Sequence, residues 1–296
     1  MADARILDRS YRSYDGPRSG LKGAIRTVTA HSMRHALGIK RRHGAKVIPV
    51  ITILLAYVPA VVFVGISALI KNDTVTDDVL PSYAGYFAYI SAVIFVFSAF
   101  VTPELLCPDR RSGLLGMYLA SPLDRNTYLL SKAAAVTAIL SIITIGPLLL
   151  ILLSYTILGH GPDSPLHWLI TFGRIIAGGL CVAGLDTALS LAISSTTTRK
   201  AAASAVIILV IVGSAAITGV LVFGADLSIY LQLFNFLRLP LDSVLRVFGE
   251  PTRANNREAQ RLNDIPAAVT IGANMAWTFL FATFVWWRYR RIAVTR

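Results

Sequence analysis

Apolar residues fall into six long runs along the chain, at about 47–70, 82–102, 129–157, 168–193, 201–223 and 267–287, with short polar segments between them. Each run is long enough to cross about 30 Å of hydrocarbon as an α-helix rising 1.5 Å per residue. The pattern predicts an all-α, polytopic membrane protein with six transmembrane helices. Two units follow from it: a polar, basic segment at 1–46 and a six-helix membrane domain at 47–296. Within the first, Leu21, Ile25 and Val28 form an apolar stripe beside Lys22 and Arg26. This predicts a weakly amphipathic interfacial helix over 19–44. The lead-in "YRSYDGPRSG" reads as irregular, since Pro17 and its flanking glycines oppose a helix.

The segment 224–266 is too long for a plain loop. Leu241, Val244, Leu245 and Phe248 recur at helical spacing, as do Ile229, Leu233, Phe236 and Leu237 before Pro240. Neither run can span, so two short amphipathic helices at the outer leaflet are expected. "GEPTRANNREAQRLND" then reads as a polar exposed connection.

Composition sharpens this picture. Of 296 residues, 55% are hydrophobic, a bias that a soluble domain of this length does not need. The first apolar run lies too far in, and is too long, to be the core of a cleaved signal peptide. The net charge of +12 is concentrated: 11 of the 28 Lys and Arg residues precede the first run. Arg110, Arg111, Arg125 and Lys132 lie near the next segment on the same side, then Arg199 and Lys200, then Arg288, Arg290, Arg291 and Arg296. The alternate segments carry little net positive charge. By the positive-inside rule both termini are cytoplasmic. The charge therefore reads as a topology signal and a contact for membrane lipids. It does not read as a nucleic-acid site, because no aromatic-basic platform accompanies it.

Candidate chemistry is sparse. No phosphate-cradling G-x-x-x-x-G-K-[ST] loop, H-E-x-x-H pair or G-x-S-x-G elbow occurs. His31 and His35 share a helical face but lack companion ligands, so no metal site is expected. Cys107 and Cys181 read as packing residues. Asp186 stands within the fourth run, where a carboxylate is costly unless paired, hydrated or protonated. It is a candidate for a substrate path or gate; a structural hydrogen bond between helices is the plainer alternative. Glu104 is a second candidate, at the inner mouth or as a cap on the second run. Arg174 is expected to snorkel to the outer interface. Gly173, Ala177, Gly178, Gly179, Ala183 and Gly184 allow close helix approach, and Gly146-Pro147 predicts a kink in the third run.

The most informative segment is "PELLCPDRRSGLLGMYLASPLDR", Pro103 to Arg125, with six charged residues among 23. Asp109 is suited to cap a short helix. Leu114, Leu115, Tyr118 and Leu119 would share one face of it. Ser121, Pro122 and Asp124 spell a second helix start, with Pro122 as its first residue. The segment is thus expected to form a short cytoplasmic helix, a tight corner and an immediate return into the bilayer.

"PDRRSGLLGMYLASPLDRNTYLLSKAAA" resembles the linker between the second and third spans of type-2 ABC exporter permeases. Arg110, Arg111, Gly113, Leu114, Leu115, Ser121, Pro122, Leu123 and Lys132 carry the resemblance. The lead-in and the six-span order agree with it. The resemblance implies a bacterial plasma-membrane permease domain that pairs with a second copy or a paralogue. It also implies binding to separate cytoplasmic ABC ATPase subunits, which would hold the ATP and Mg2+; no cofactor is expected on this chain. The ATPase-coupling residues would be Asp109, Arg110, Arg111, Gly113, Leu114, Leu115, Tyr118, Ser121, Pro122 and Leu123, with "SSTTTRK" (194–200) as a second contact. The permease would move a substrate outward by alternating access and would catalyse no bond chemistry itself. Two other classes remain in view: a membrane-embedded lipid-processing enzyme, which needs a cluster of acids, His or Ser near one interface, and a non-transporting anchor for a cytoplasmic partner.

Overall fold

The computed structural model describes residues 20–39, 43–69, 80–113, 123–252 and 257–291. Six helices in it are long and apolar enough to cross a membrane: Lys46–Leu69, Tyr83–Arg111, Arg125–Leu158, Pro165–Ser194, Lys200–Gly224 and Ala267–Arg291. All six expected spans are present, and no strand occurs among the described residues. Several helices run past the expected ends, because helix geometry continues after the apolar run stops.

In chain order the helices are α1 (Gly20–Ala36), α2 (His43–Leu69), α3 (Tyr83–Phe100), α4 (Pro103–Arg111), α5 (Arg125–Thr144), α6 (Gly146–Leu158), α7 (Pro165–Ser194), α8 (Lys200–Gly219), α9 (Leu239–Phe248), α10 (Arg257–Asn263) and α11 (Ala267–Arg291). The second span is α3 plus α4, and the third is α5 plus α6. Successive spans run in opposite directions. One end of the bundle gathers Arg110, Arg125, Lys200 and Arg288, and is called the arginine-rich end below.

The amphipathic N-terminal helix forms as α1, but it packs on the protein. Val28, Ser32 and Ala36 are its buried residues, and Thr29 donates to the Ser131 carbonyl of the third span at 3.4 Å. The stripe thus lies one turn further along than expected, since Leu21 is exposed. Gly38, at φ 69°, stops the helix: its N–H bonds to His35 and that of Ile39 to Arg34. That is a Schellman stop, which needs a left-handed residue.

The fourth span, α7, is the centre. It is 78% buried over its apolar stretch, against 22% for the first and fifth spans and 17% for the sixth. Its small residues make this possible. A Cβ on Gly179 would stand 2.3 Å from the Ile145 side chain, and one on Gly178 3.4 Å from Val244. Gly178 and Gly179 of the small-residue cluster therefore serve packing within the chain, against α9 and against the bend of the third span. At that bend only Ile145 leaves the helix. The N–H of Ile145 still bonds to Ser141 and that of Leu149 to Ile145, so Pro147 kinks the span without severing it.

The segment after the fifth span forms a 3-10 turn at Ile229–Phe234 and the helix α9. Helix α9 is seated against the second, fourth and sixth spans and buries Leu239, Pro240, Ser243, Val244 and Phe248. Its C-terminus gives the exposed side chain of Arg174 a partner. The guanidinium donates to the Phe248 carbonyl at 3.2 Å, meeting the unsatisfied end of α9. The expected polar connection includes a short helix, α10, in which Leu262 is buried; Arg246 donates to the Leu262 carbonyl at 2.8 Å.

Candidate functional site

The linker between the second and third spans departs from the sequence reading on both sides. Asp109 caps no new helix. It lies inside α4, which prolongs the second span to Arg111. Pro103 starts α4 where its missing N–H costs nothing, whereas Pro108 lies inside the helix and forgoes one backbone bond. On the far side, Leu123 and Asp124 are non-helical and α5 begins at Arg125, with Asp124 at the cap position. Leu114, Leu115, Tyr118, Ser121 and Pro122, and with them the expected short helix, lie outside the described residues.

The two arms of the linker are locked together. The Asp109 carboxylate lies 2.7 Å from Lys132 Nζ and accepts a hydrogen bond from Tyr128 OH at 2.8 Å. Tyr128 and Lys132 are four residues apart, so the third span presents both on one face. All three side chains are buried. A buried pair of this kind needs both members: removing one leaves an uncompensated charge, at a cost of about 3–5 kcal/mol.

Arg110 points away from this pair, toward the short loop after the fourth span. It donates to the carbonyls of Ser195 and Thr197. Arg288 of the sixth span reaches the same loop, donating to Ser195 at 2.6 Å and Thr196 at 3.3 Å. The physical reason is the end of α7. Its last carbonyls have no intrahelical partner and carry the negative pole of the helix, so two guanidinium groups are well matched to it. Glu104 pairs with Lys200, the first residue of α8, at 3.1 Å. Arg111, Ser112 and Gly113 are exposed at the tip of α4, and Leu123 is buried. The arginine-rich end is therefore a connected polar platform that joins the second, third, fourth and sixth spans and the start of the fifth.

Asp186 is elsewhere. It lies in α7 and lines a cleft of about 20 Å³ with Ser91, Phe95, Ile211, Phe236 and Leu241. Ser98 Oγ lies beside its carboxyl without a well-aligned hydrogen bond. The cleft has room for about one water molecule. Glu104, tied to Lys200 at the arginine-rich end, does not line it. The two residues expected along a substrate path are thus not brought together.

Sequence reasoning missed Lys132 and Tyr128 as the partners of Asp109, and Arg288 as a ligand of the loop after the fourth span. The signal for the first was present. An acid one turn before a linker, facing a lysine early in the returning span, is the arrangement in which a buried pair can form. No comparable signal pointed from Arg288 to Ser195, because backbone carbonyls have no signature in sequence.

Six antiparallel apolar helices, with one end rich in arginine, define a polytopic membrane protein. Residues 45–287 match the family described as ABC-2 family transporter protein, and the chain belongs to that family. It is thus a permease subunit of an ABC transporter, and family membership implies association with ABC ATPase partners. No curated protein matches it.

Proposed function

We propose that the chain is the membrane half of an ATP-driven exporter in a bacterial plasma membrane, with both termini and the arginine-rich end facing the cytoplasm. A separate ATPase docks on the linker around Arg111–Leu123 and on the loop 194–200. ATP and Mg2+ bind in that partner, and closure of its subunits pushes the linker. The observation that carries this reading is the polar platform. Asp109 holds Lys132, while Arg110 and Arg288 both hold Ser195. Force on the linker therefore reaches four spans through short, directional contacts, and the bundle reorients as alternating access requires. A second permease copy or a paralogue completes the path.

The two arginines separate docking from transmission. Arg111 is exposed and Arg110 is engaged inward. Arg111→Glu is expected to reduce copurification of the ATPase. Arg110→Glu is expected to retain the ATPase but uncouple its hydrolysis from efflux of fluorescent substrates in sealed vesicles. If the purified chain carries no ATP-hydrolysing subunit, and neither substitution changes assembly or efflux, the reading fails.

A further inference from the structure

The third, fourth and sixth spans enclose a long apolar groove of about 560 Å³ on the side of the bundle. Ala133 and Thr137 line it from the third span, Ala188 from the fourth, and Thr278 and Ala282 from the sixth. At the arginine-rich end the groove reaches Asn126 and Trp286, whose indole N–H donates to Asn126 Oδ1 at 3.1 Å. Asn126 also lines a second, open cup of about 450 Å³. That cup is formed by Leu123, Asp124, Arg125 and Arg290. One amphipathic surface results, apolar along its length and cationic at its mouth.

Its dimensions match one leaflet of a bilayer. From Asn126 to Thr137 the third span rises about 16 Å, close to half of the roughly 30 Å hydrocarbon thickness. The cationic cup then falls where lipid headgroups lie. Its guanidinium groups are held in place. Arg125 donates to the Arg290 carbonyl at 2.8 Å, and the Arg290 guanidinium stacks over Trp286 at 4.6 Å. Asp124 offsets one of the two charges and leaves the cup net positive.

We propose that this surface is a binding site for an anionic phospholipid, with one acyl chain in the groove and the phosphate at Arg125 and Arg290. The site opens at the arginine-rich end beside the polar platform, but Asp109, Arg110, Lys132 and Arg288 do not line it, and it does not depend on what the protein transports. Its occupant comes from the bilayer itself, which supplies both an apolar chain and a negative headgroup at the required depth. An arginine at the membrane surface favours an anionic lipid by about fivefold.

The test uses the full chain in phosphatidylcholine vesicles containing a trace of phosphatidylglycerol with a photoreactive group in its acyl chain. Cross-links are expected on Ala133, Thr137 and Ala282, and unlabelled phosphatidylglycerol should compete for them several-fold better than phosphatidylcholine. Arg290→Glu is expected to lower groove labelling by about fivefold or more. Ala282→Trp is expected to remove it by filling the groove. Both positions are exposed, and an unchanged elution profile and melting temperature will confirm folding. Equal competition by the two lipids, or unchanged labelling in Arg290→Glu, overturns the proposal. So does an unlabelled groove in the folded parent, which would mean that protein, a second copy included, covers this face.

Discussion

Asp109 and Asp186 are buried to nearly the same degree, 9% and 8% exposed. Their surroundings are opposite. Asp109 meets a lysine and a tyrosine hydroxyl at hydrogen-bond distance, whereas no cation is among the described residues that line the cleft around Asp186. Depth accounts for the difference. Asp109 sits where two spans leave the apolar layer, so a lysine can reach it from the next helix. Asp186 lies eight residues before the end of α7, about 12 Å inward. A charged aspartate at such depth costs on the order of 3 kcal/mol. Burial alone therefore does not say what a carboxylate does: one of these ties two spans together through a lysine, and the other faces a small cleft whose described lining offers no cation.

The largest expected effect comes from breaking the lock. Lys132→Met leaves the Asp109 carboxylate buried and unpaired, and should lower stability by about 3–5 kcal/mol, read as a fall in melting temperature in detergent. Adding Asp109→Asn to the same protein should recover much of the loss, because no bare charge remains. Failure of the double variant to recover would show that geometry, not charge, holds the linker.

Next is the packing of the fourth span against the third and against α9. Gly179→Val forces atoms into the space of Ile145, whose side chain already stands 2.3 Å from the position of a Cβ. A cost of about 1–3 kcal/mol is expected. Gly178→Ala, with its nearest contact at 3.4 Å, should cost less. Equal effects would mean that the third span moves freely against the fourth.

The contrast between the two aspartates also marks what a sequence can show. Hydropathy periods located all six spans, since length and apolarity are properties of the run itself. The kink at Gly146-Pro147 and the stripe of α9 were legible for the same reason. The lock was not, because it joins Asp109 to residues 19 and 23 positions later across a chain reversal. Asp109 looked like a helix cap by local chemistry, and a tertiary partner overrode that preference. Nor does the sequence point from Arg174 to its hydrogen-bond partner, a carbonyl 74 residues away. The residues that carried the family resemblance lie largely in the linker, whose described part shows only its two bases.

Asp186 should respond in the opposite sense to Asp109. Asp186→Asn removes an acid whose ionised form is costly at this depth and strands no cation among the residues that line its cleft, so stability should stay within about 1 kcal/mol of the parent or rise. If the polar path includes this residue, efflux driven by the ATPase should fall at the same time. A folded, stable Asp186→Asn protein with unchanged efflux assigns the side chain to helix packing alone.

A third aspartate gives the smallest effect and the sharpest check on this reasoning. Asp226 pairs with Arg261 at 2.6 Å, slightly closer than Asp109 and Lys132 at 2.7 Å. Distance alone would rank it first. Its side chain is 85% exposed, however, and that of Arg261 37%, so water screens the pair and both ions remain largely solvated when it breaks. A double-mutant cycle with Asp226→Asn and Arg261→Gln should give a coupling below about 1 kcal/mol, and salt should weaken it. The same cycle on Asp109 and Lys132 should give several times more and be insensitive to salt. If the two couplings prove equal, the arginine-rich end is hydrated, and contacts such as Asp109–Lys132 are too soft to transmit a push from the linker.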